Sequence, residues 1–319
     1  IWPARYLGFM GKTFGDGPAV VVDIDSISLQ EMEATEGPLT AAITVQTDGD
    51  RVPLEPMRRG HFIEHLGDCI YPGIWAELLR NRKFTGKVGP EGVVEAWQPH
   101  GKPEGVSWAR DNEVYYSPAQ SQRIEIAQAG EPVGVRQDKL GLRDNVAYDV
   151  RIVARQTGLQ APLGVSLVSG EGVIGEAQVT GIGEDWTVHR LRLEGPAQVT
   201  EASLVLSTTG PGTLWLGAVS LMPADNLGGL RADVVAAIRE IKPPVLRWPG
   251  GNFVSGYRWE DGIGERDRRP SRWDRAWGAW ESNDLGTDEF IHLCRLVDTV
   301  PYICVNCGEG ASPEAAGWV

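Results

Sequence analysis

No apolar run among the 319 residues reaches the length of a membrane span, which argues against an integral membrane protein. Nor is there a cluster of Lys and Arg: the densest, Arg266–Arg269, carries its own Asp267. With a net charge of −13 the chain offers no basic patch for a phosphate backbone, so nucleic acid is not an expected partner. The acidic balance serves mainly solubility. The sequence begins at Ile1, without a basic start followed by an apolar core, and no secretory signal is expected. Cysteine is scarce. Cys69, Cys294, Cys304 and Cys307 are scattered, which favours a reducing, cytoplasmic setting over a disulfide scaffold. Cys304 and Cys307 have the spacing of a redox or metal pair, but no second pair accompanies them and they adjoin a strand-like run. Buried thiols are the favoured reading, and neither a metal nor a cofactor is expected.

What the chain has is apolar residue in quantity, 42% of the total, enough for about two domains. Residues 1–38 resist assignment: Ala19–Ile24 reads as a strand that nothing repeats, and Ala41–Val45 as another short one. Gly60-His-Phe-Ile-Glu-His-Leu-Gly67 reads as a strand ending in glycine. Ile74, Trp75, Leu78 and Leu79 follow at helical spacing, so residues 39–98 are expected to open with a β/α unit. From 99 to 224 the texture changes to period-2 alternation. Tyr148, Val150, Ile152 and Ala154 alternate with polar neighbours, as do Leu163, Val165 and Leu167, and Ala202, Leu204 and Leu206. Short runs of this kind between Gly, Pro and Asp turns predict an antiparallel sandwich. In 225–319 the helical pattern returns. Leu230, Val234, Ala237, Ile238 and Ile241 form one stripe, Pro243-Pro244 ends it, and Val245-Leu246 begins a strand. A second helix capped by Thr287, a strand over Tyr302–Asn306 and a helix opening at Ser312-Pro313 follow. The expected fold class is α/β plus all-β: parallel β/α units interrupted by an inserted β-sandwich. About three such units are present, where a closed barrel has eight.

Polar residues gather at the three strand ends, where β/α folds carry their sites. Strand one ends in His61, Phe62, Glu64 and His65, strand two in Arg247, Trp248 and Asn252, strand three in Asn306, Gly308 and Glu309. Gly250 and Gly251 let the backbone approach a ligand closely. Arg247, Trp248 and Asn252 supply a cation, an apolar face and an amide with donors and acceptors, the mixture that binds a sugar. Glu64 stands in an apolar strand, where an unpartnered carboxylate is costly. Function is weighted over the alternative, an ion-pair partner for Arg247 or Arg59. His61 and His65 would lie roughly 13 Å apart on a strand, too far to share one ion, so both are expected in the core or behind the site. Glu260-Asp261 reads as a solvated or Arg-paired turn. Most of Trp248, Tyr257, Trp259, Trp273, Trp277 and Trp280 are expected in the core, with one or two as sugar platforms.

At these residues the chain resembles the family-51 glycoside hydrolases, the α-L-arabinofuranosidases. Gly60–Gly67 with Ile70-Tyr-Pro-Gly-Ile-Trp75 looks like that family's first barrel strand, and Leu246-Arg-Trp-Pro-Gly-Gly-Asn-Phe253 through Gly264 like its second. Glu281–Phe290 and Pro301–Asn306 continue the match. The sandwich, ending Trp215–Pro223, resembles more loosely the carbohydrate-binding-like jelly rolls inserted in some members. The resemblance implies the N-terminal part of a (β/α)8 TIM barrel, and a retaining mechanism with two glutamates roughly 5 Å apart. The family's acid/base follows an Asn at the end of the fourth strand. The one Asn-Glu pair here, Asn112-Glu113, falls in the sandwich, so both catalytic glutamates are expected beyond Val319. What the resemblance transfers is substrate binding. Glu64 and Asn252 match residues that bond arabinofuranose hydroxyls, and Arg247 matches a supporting arginine, with Phe62, Gly251 and Trp248 beside them. Arg59 departs from the family, which has an aromatic residue there, and Gly308-Glu309-Gly310 replaces a more usual Gly-Thr-Gly. The expected partner is an arabinofuranosyl-containing saccharide, and a homo-oligomer of the full-length protein is compatible with it. The alternatives are a non-catalytic carbohydrate-binding protein and a sibling enzyme acting on another pentose.

Overall fold

The structure, a computed structural model, describes residues 55–318 apart from 102, 103, 129, 171 and 199. The strands expected at 19–24 and 41–45 lie outside the described residues, as does the segment 1–38. In chain order the elements begin with β1 (His61–Phe62), followed by ten strands: β2 (Gln98–His100), β3 (Val106–Asp111), β4 (Ser121–Ile126), β5 (Val133–Leu142), β6 (Tyr148–Thr157), β7 (Leu163–Ser169), β8 (Gly172–Val179), β9 (Thr187–Leu193), β10 (Thr200–Thr208) and β11 (Gly212–Pro223). Then come α1 (Ala232–Ile241), β12 (Val245–Trp248), a hairpin of β13 (Arg272–Asp274) and β14 (Ala279–Glu281), α2 (Thr287–Val297), β15 (Val300–Ile303) and α3 (Ser312–Trp318).

β2–β11 form two five-stranded antiparallel sheets, ordered β2-β5-β10-β7-β8 and β3-β4-β11-β6-β9. Alternate residues turn inward as the period-2 pattern predicts. Val133, Val135, Val165, Leu167, Leu204 and Leu206 from one sheet meet Ile124, Val150, Ile152, Leu214 and Leu216 from the other in a single apolar core. β11 slips register against β6 between Leu216 and Ala218. A Cβ on Gly217 would lie 2.7 Å from the Tyr116 side chain and 2.9 Å from the Trp186 ring, so the glycine lets both aromatics lie on the outer face.

β1, β12 and β15 form a parallel sheet in that order, with His61 opposite Leu246 and Leu246 opposite Pro301. α1 and α2 lay Val235, Phe290, Leu293, Cys294 and Val297 against Leu246, Trp248 and Ile63 in a second core. Two expectations fail here. The strand at 60–67 is paired only over His61–Phe62, with Ile63 N–H still donating to Arg247 O; beyond it Leu66 N–H turns back to Glu64 O. No helix forms at 74–79. Pro72 and Gly73 break the start, and the Ala76 and Leu78 amides donate to Gly229 O and Leu221 O, antiparallel to the chain returning from the sandwich. Helical spacing there reflects one residue set packed against two cores. α2 is capped by Gly286 rather than Thr287: its N–H donates to Glu289 Oε2 at 2.9 Å, and a Cβ at Gly286 would strike Gly262 O. Thr287 Oγ1 accepts instead from Trp318 Nε1 at 3.0 Å. The thiols are not all buried, for Cys69 and Cys307 are exposed and Cys304 is half-buried; all four cysteines are free. Among the described residues no helix is long and apolar enough to cross a membrane.

The exit and return segments enclose Glu77. Its Oε1 accepts the Leu79 and Leu221 amides at 3.0 and 2.9 Å, while Oε2 is buried without a hydrogen-bond partner among the described residues. Burial pushes its carboxyl up to about 7 against the pull of Arg82. A carboxyl raised in the folded state favours folding below its ordinary range, and that contribution is lost as pH rises through about 7. Glu77→Gln is therefore expected to match the wild type near pH 4.5 and to exceed its stability at pH 8 by up to about 3 kcal/mol. Thermal melts of both proteins from pH 4.5 to 8 check this; parallel profiles would refute it.

Candidate sugar-binding site

β12 ends in Trp248, a cis Pro249 and two glycines. Gly250 has φ +132°, and a Cβ there would lie 2.3 Å from Glu64 Cγ, so both conformation and space demand glycine. The turn is thereby pressed onto Glu64, which is 6% exposed. Glu64 Oε1 accepts the Phe253 amide at 2.9 Å and the Trp277 indole N–H at 3.3 Å. Oε2 has no hydrogen-bond partner among the described residues. One carboxylate oxygen is pinned and the other is open, an arrangement suited to accepting from a hydroxyl.

Asn252 follows the glycines. It is exposed, its side-chain amide makes no hydrogen bond among the described residues, and it borders a cavity of about 760 Å³. Phe253, Tyr257, Arg272, Asp274, Glu281 and Glu309 border it too. Arg247 does not pair with Glu64. Its guanidinium lies 4.6 Å from the centre of the Phe62 ring, and its Nε is buried without a hydrogen-bond partner among the described residues. Phe62 itself is 53% exposed, and Gly251 is exposed beside Glu64. Glu64, Gly251, Asn252, Arg247 and Phe62 thus lie on the paired ends of β1 and β12. Trp248 does not join them. It is fully buried, stacked on Phe290 at 5.1 Å and edge-on to Tyr257 and Trp318; the stacking face expected of it is spent on the core.

The third strand end serves the frame. Asn306 is buried, donates to Tyr257 O at 3.0 Å and accepts the Gly308 and Glu309 amides. Glu309 pairs with Arg275, and Asp261 holds Arg272 through two bonds of 2.8 and 3.1 Å. His61 is exposed and His65 buried. Among the described residues no group of three or more His, Cys, Asp or Glu side chains could hold a metal ion.

Two contributions escaped the sequence reading. Trp277 reaches Glu64 from the β13–β14 hairpin, 213 residues away; the density of tryptophan pointed to the region and not to this ring. Glu281 is buried behind the site, with Oε1 accepting from the Tyr71 hydroxyl at 2.8 Å and the Asn283 amide at 2.6 Å, and Oε2 2.6 Å from His65 Nδ1. Burial, and then the Glu281 charge, push the Tyr71 hydroxyl well above its ordinary range, so it stays protonated and donates.

With this geometry in view, comparison with known proteins is specific. The sequence pattern of the α-L-arabinofuranosidase 1 domain matches residues 237–316. α-L-Arabinofuranosidase C of Emericella nidulans is 48% identical over 97 residues, 30% of this chain and 19% of that protein. α-L-Arabinofuranosidase 1 of Arabidopsis thaliana is 29% identical over 313 residues, 90% of this chain and 46% of that protein. An arabinose-bound family-51 α-L-arabinofuranosidase superposes with a TM-score of 0.69 over 81% of this chain and 46% of its own, at 22% identity, a likeness of fold. The chain spans less than half the length of each of these proteins. Residues 237–316 are thus similar to the α-L-arabinofuranosidases in sequence, and the larger part of the chain to a family-51 member in fold.

Proposed function

We propose that this chain supplies the sugar-gripping wall of a retaining glycoside hydrolase that releases non-reducing-end α-L-arabinofuranosyl residues from arabinose-containing hemicellulose or oligosaccharides. The observation that carries the reading is Glu64: one oxygen fixed by the Phe253 and Trp277 N–H groups, the other open, and Asn252 with a free amide two residues beyond Gly250. A carboxylate acceptor from the end of β1 and an amide that both donates and accepts from the turn after β12 suit sugar hydroxyls. Arg247 with Phe62 forms the adjoining edge, and Trp248 supports the turn from within.

On this reading β1, β12 and β15 are the first three strands of a (β/α)8 barrel, spread over 39–98 and 225–319, and residues 99–224 are an inserted jelly roll. The nucleophile and acid/base glutamates belong to sequence outside residues 1–319, since the one Asn-Glu pair, Asn112-Glu113, follows β3. Glu64 then binds and does not cut.

Calorimetric titration of the chain with α-1,5-linked arabinotriose tests the wall. A hydrogen bond to a charged group contributes about 1.5–3 kcal/mol and one between neutral groups about 0.5–1.5 kcal/mol, so Glu64→Gln is expected to weaken binding about tenfold or more and Asn252→Ala by a few-fold. Unchanged affinity in both would remove these residues from the site. The division of labour has its own check: purified residues 1–319 are expected not to hydrolyse an aryl α-L-arabinofuranoside. Robust turnover that survives Glu64→Gln would place a catalytic pair inside this chain.

A further inference from the structure

His65 follows Glu64 directly, and the binding of sugar as described makes no use of it. Both ring nitrogens are engaged. Nε2 lies 3.0 Å from the indole Nε1 of Trp248, and Nδ1 2.6 Å from Glu281 Oε2. An indole N–H can only donate, so Nε2 must be bare and accepting. The neutral ring therefore carries its proton on Nδ1 and gives it to Glu281. The chain of bonds runs on through Glu281 Oε1 to the Tyr71 hydroxyl, whose oxygen accepts the Leu285 amide at 3.0 Å. His65, Trp248 and Glu281 are all buried, where unsatisfied polar groups cost most. The face of the His65 ring stacks on Phe253, 4.4 Å between centroids and 11° from parallel. Phe253 is the residue whose amide holds Glu64 Oε1.

We propose that His65 is a positioning residue for the sugar wall: fixed in one tautomer between Trp248 and Glu281, it fixes Phe253 and, through the Phe253 amide, the carboxylate of Glu64. The proposal rests on Glu64 being a hydroxyl acceptor. A histidine that merely filled the core would need its volume and its stacked face. A positioning histidine needs its polar edges as well, because these set the ring's rotation and hence where the Phe253 backbone lies.

Three measurements on the full chain separate these roles. In ¹⁵N spectra at neutral pH, the histidine signal lost in His65→Gln is expected to show a protonated Nδ1 and a bare Nε2; a protonated Nε2 overturns the proposal. His65→Phe keeps an aromatic face against Phe253 and removes both hydrogen bonds, whereas His65→Gln keeps a donor and an acceptor without the ring. The Phe253 amide is expected to exchange about tenfold faster, and arabinotriose to bind about tenfold more weakly, in His65→Phe. In His65→Gln, which lacks the face that stacks on Phe253, both effects are expected to persist. No change in His65→Phe assigns His65 to packing alone. Should His65→Phe fail to fold, the wild-type tautomer decides. If the wild-type chain binds no arabinotriose, the sugar-wall reading fails, and the tautomer and Phe253 exchange still decide the positioning role.

Discussion

Arg82 holds the two halves of this structure together. It sits on the segment that leaves the parallel sheet for the sandwich. Its guanidinium donates to Asp284 through Nε and Nη2 and to Asp267 through Nη1, all three side chains being buried. Lys83 adds a contact of 3.0 Å to Asp284 and bonds to Arg269 O and Ser282 O. Burial would raise the Asp284 carboxyl, but Arg82 and Lys83 pull it well below the usual carboxylate range, and burial brings Lys83 down to about 8 despite Asp284. Arg151, from the sandwich strand β6, reaches the same Asp267. Such a cluster adds little net stability over an apolar seam of equal volume, yet removing one partner strands a buried charge at a cost of about 3–5 kcal/mol. Its contacts set register: they tie the segment leaving the parallel sheet, and β6 through Arg151, to Asp267 and Asp284.

That register reaches the candidate site through a short stretch of backbone. Asp284 lies between Asn283, whose amide donates to Glu281, and Leu285, whose amide donates to Tyr71. Further along, Glu289 receives Arg269 through two bonds and the Gly286 amide. Residues 281–289 are therefore clamped on one side by cations from the linker and the β12–α2 connection, and on the other by His65. The hairpin that carries Trp277 to Glu64 ends in Glu281, so the position of that indole follows from the same clamp.

The sandwich was the most legible part of the sequence, because a strand with one wet face writes its alternation into every second residue, and Tyr148–Ala154, Leu163–Leu167 and Ala202–Leu206 all do so. α1, α2 and β12 were legible for a related reason: one apolar stripe each, with Pro243-Pro244 between two of them. The segment 70–79 was not. It touches both cores, with Trp75 in one and Leu79 in the other, so its apolar spacing mimicked a helix that its amides had no carbonyls left to make. The site was legible in part. A carboxylate in an apolar run and an asparagine after two glycines are local oddities that a single sequence shows. Long-range pairs leave no local trace: His65 and Glu281 are 216 residues apart, and neither is unusual where it stands.

Trp248 shows why a sugar-like composition does not assign each residue to the sugar. Its neighbours Arg247 and Pro249 sit at a strand end, where an aromatic side chain could face either way. Pairing decides. In parallel register with Ile303 and flanked by α2 and α3, Trp248 points into the second core, and Arg247, one residue earlier, takes the opposite face with Phe62. A buried indole must then find an acceptor for its N–H, and His65 is that acceptor. The same burial that removes Trp248 from the wall makes it one of the two groups that fix His65. The tryptophan thus touches the candidate site only through its hydrogen bond to His65, and the aromatic surface beside Glu64 comes from Trp277 instead.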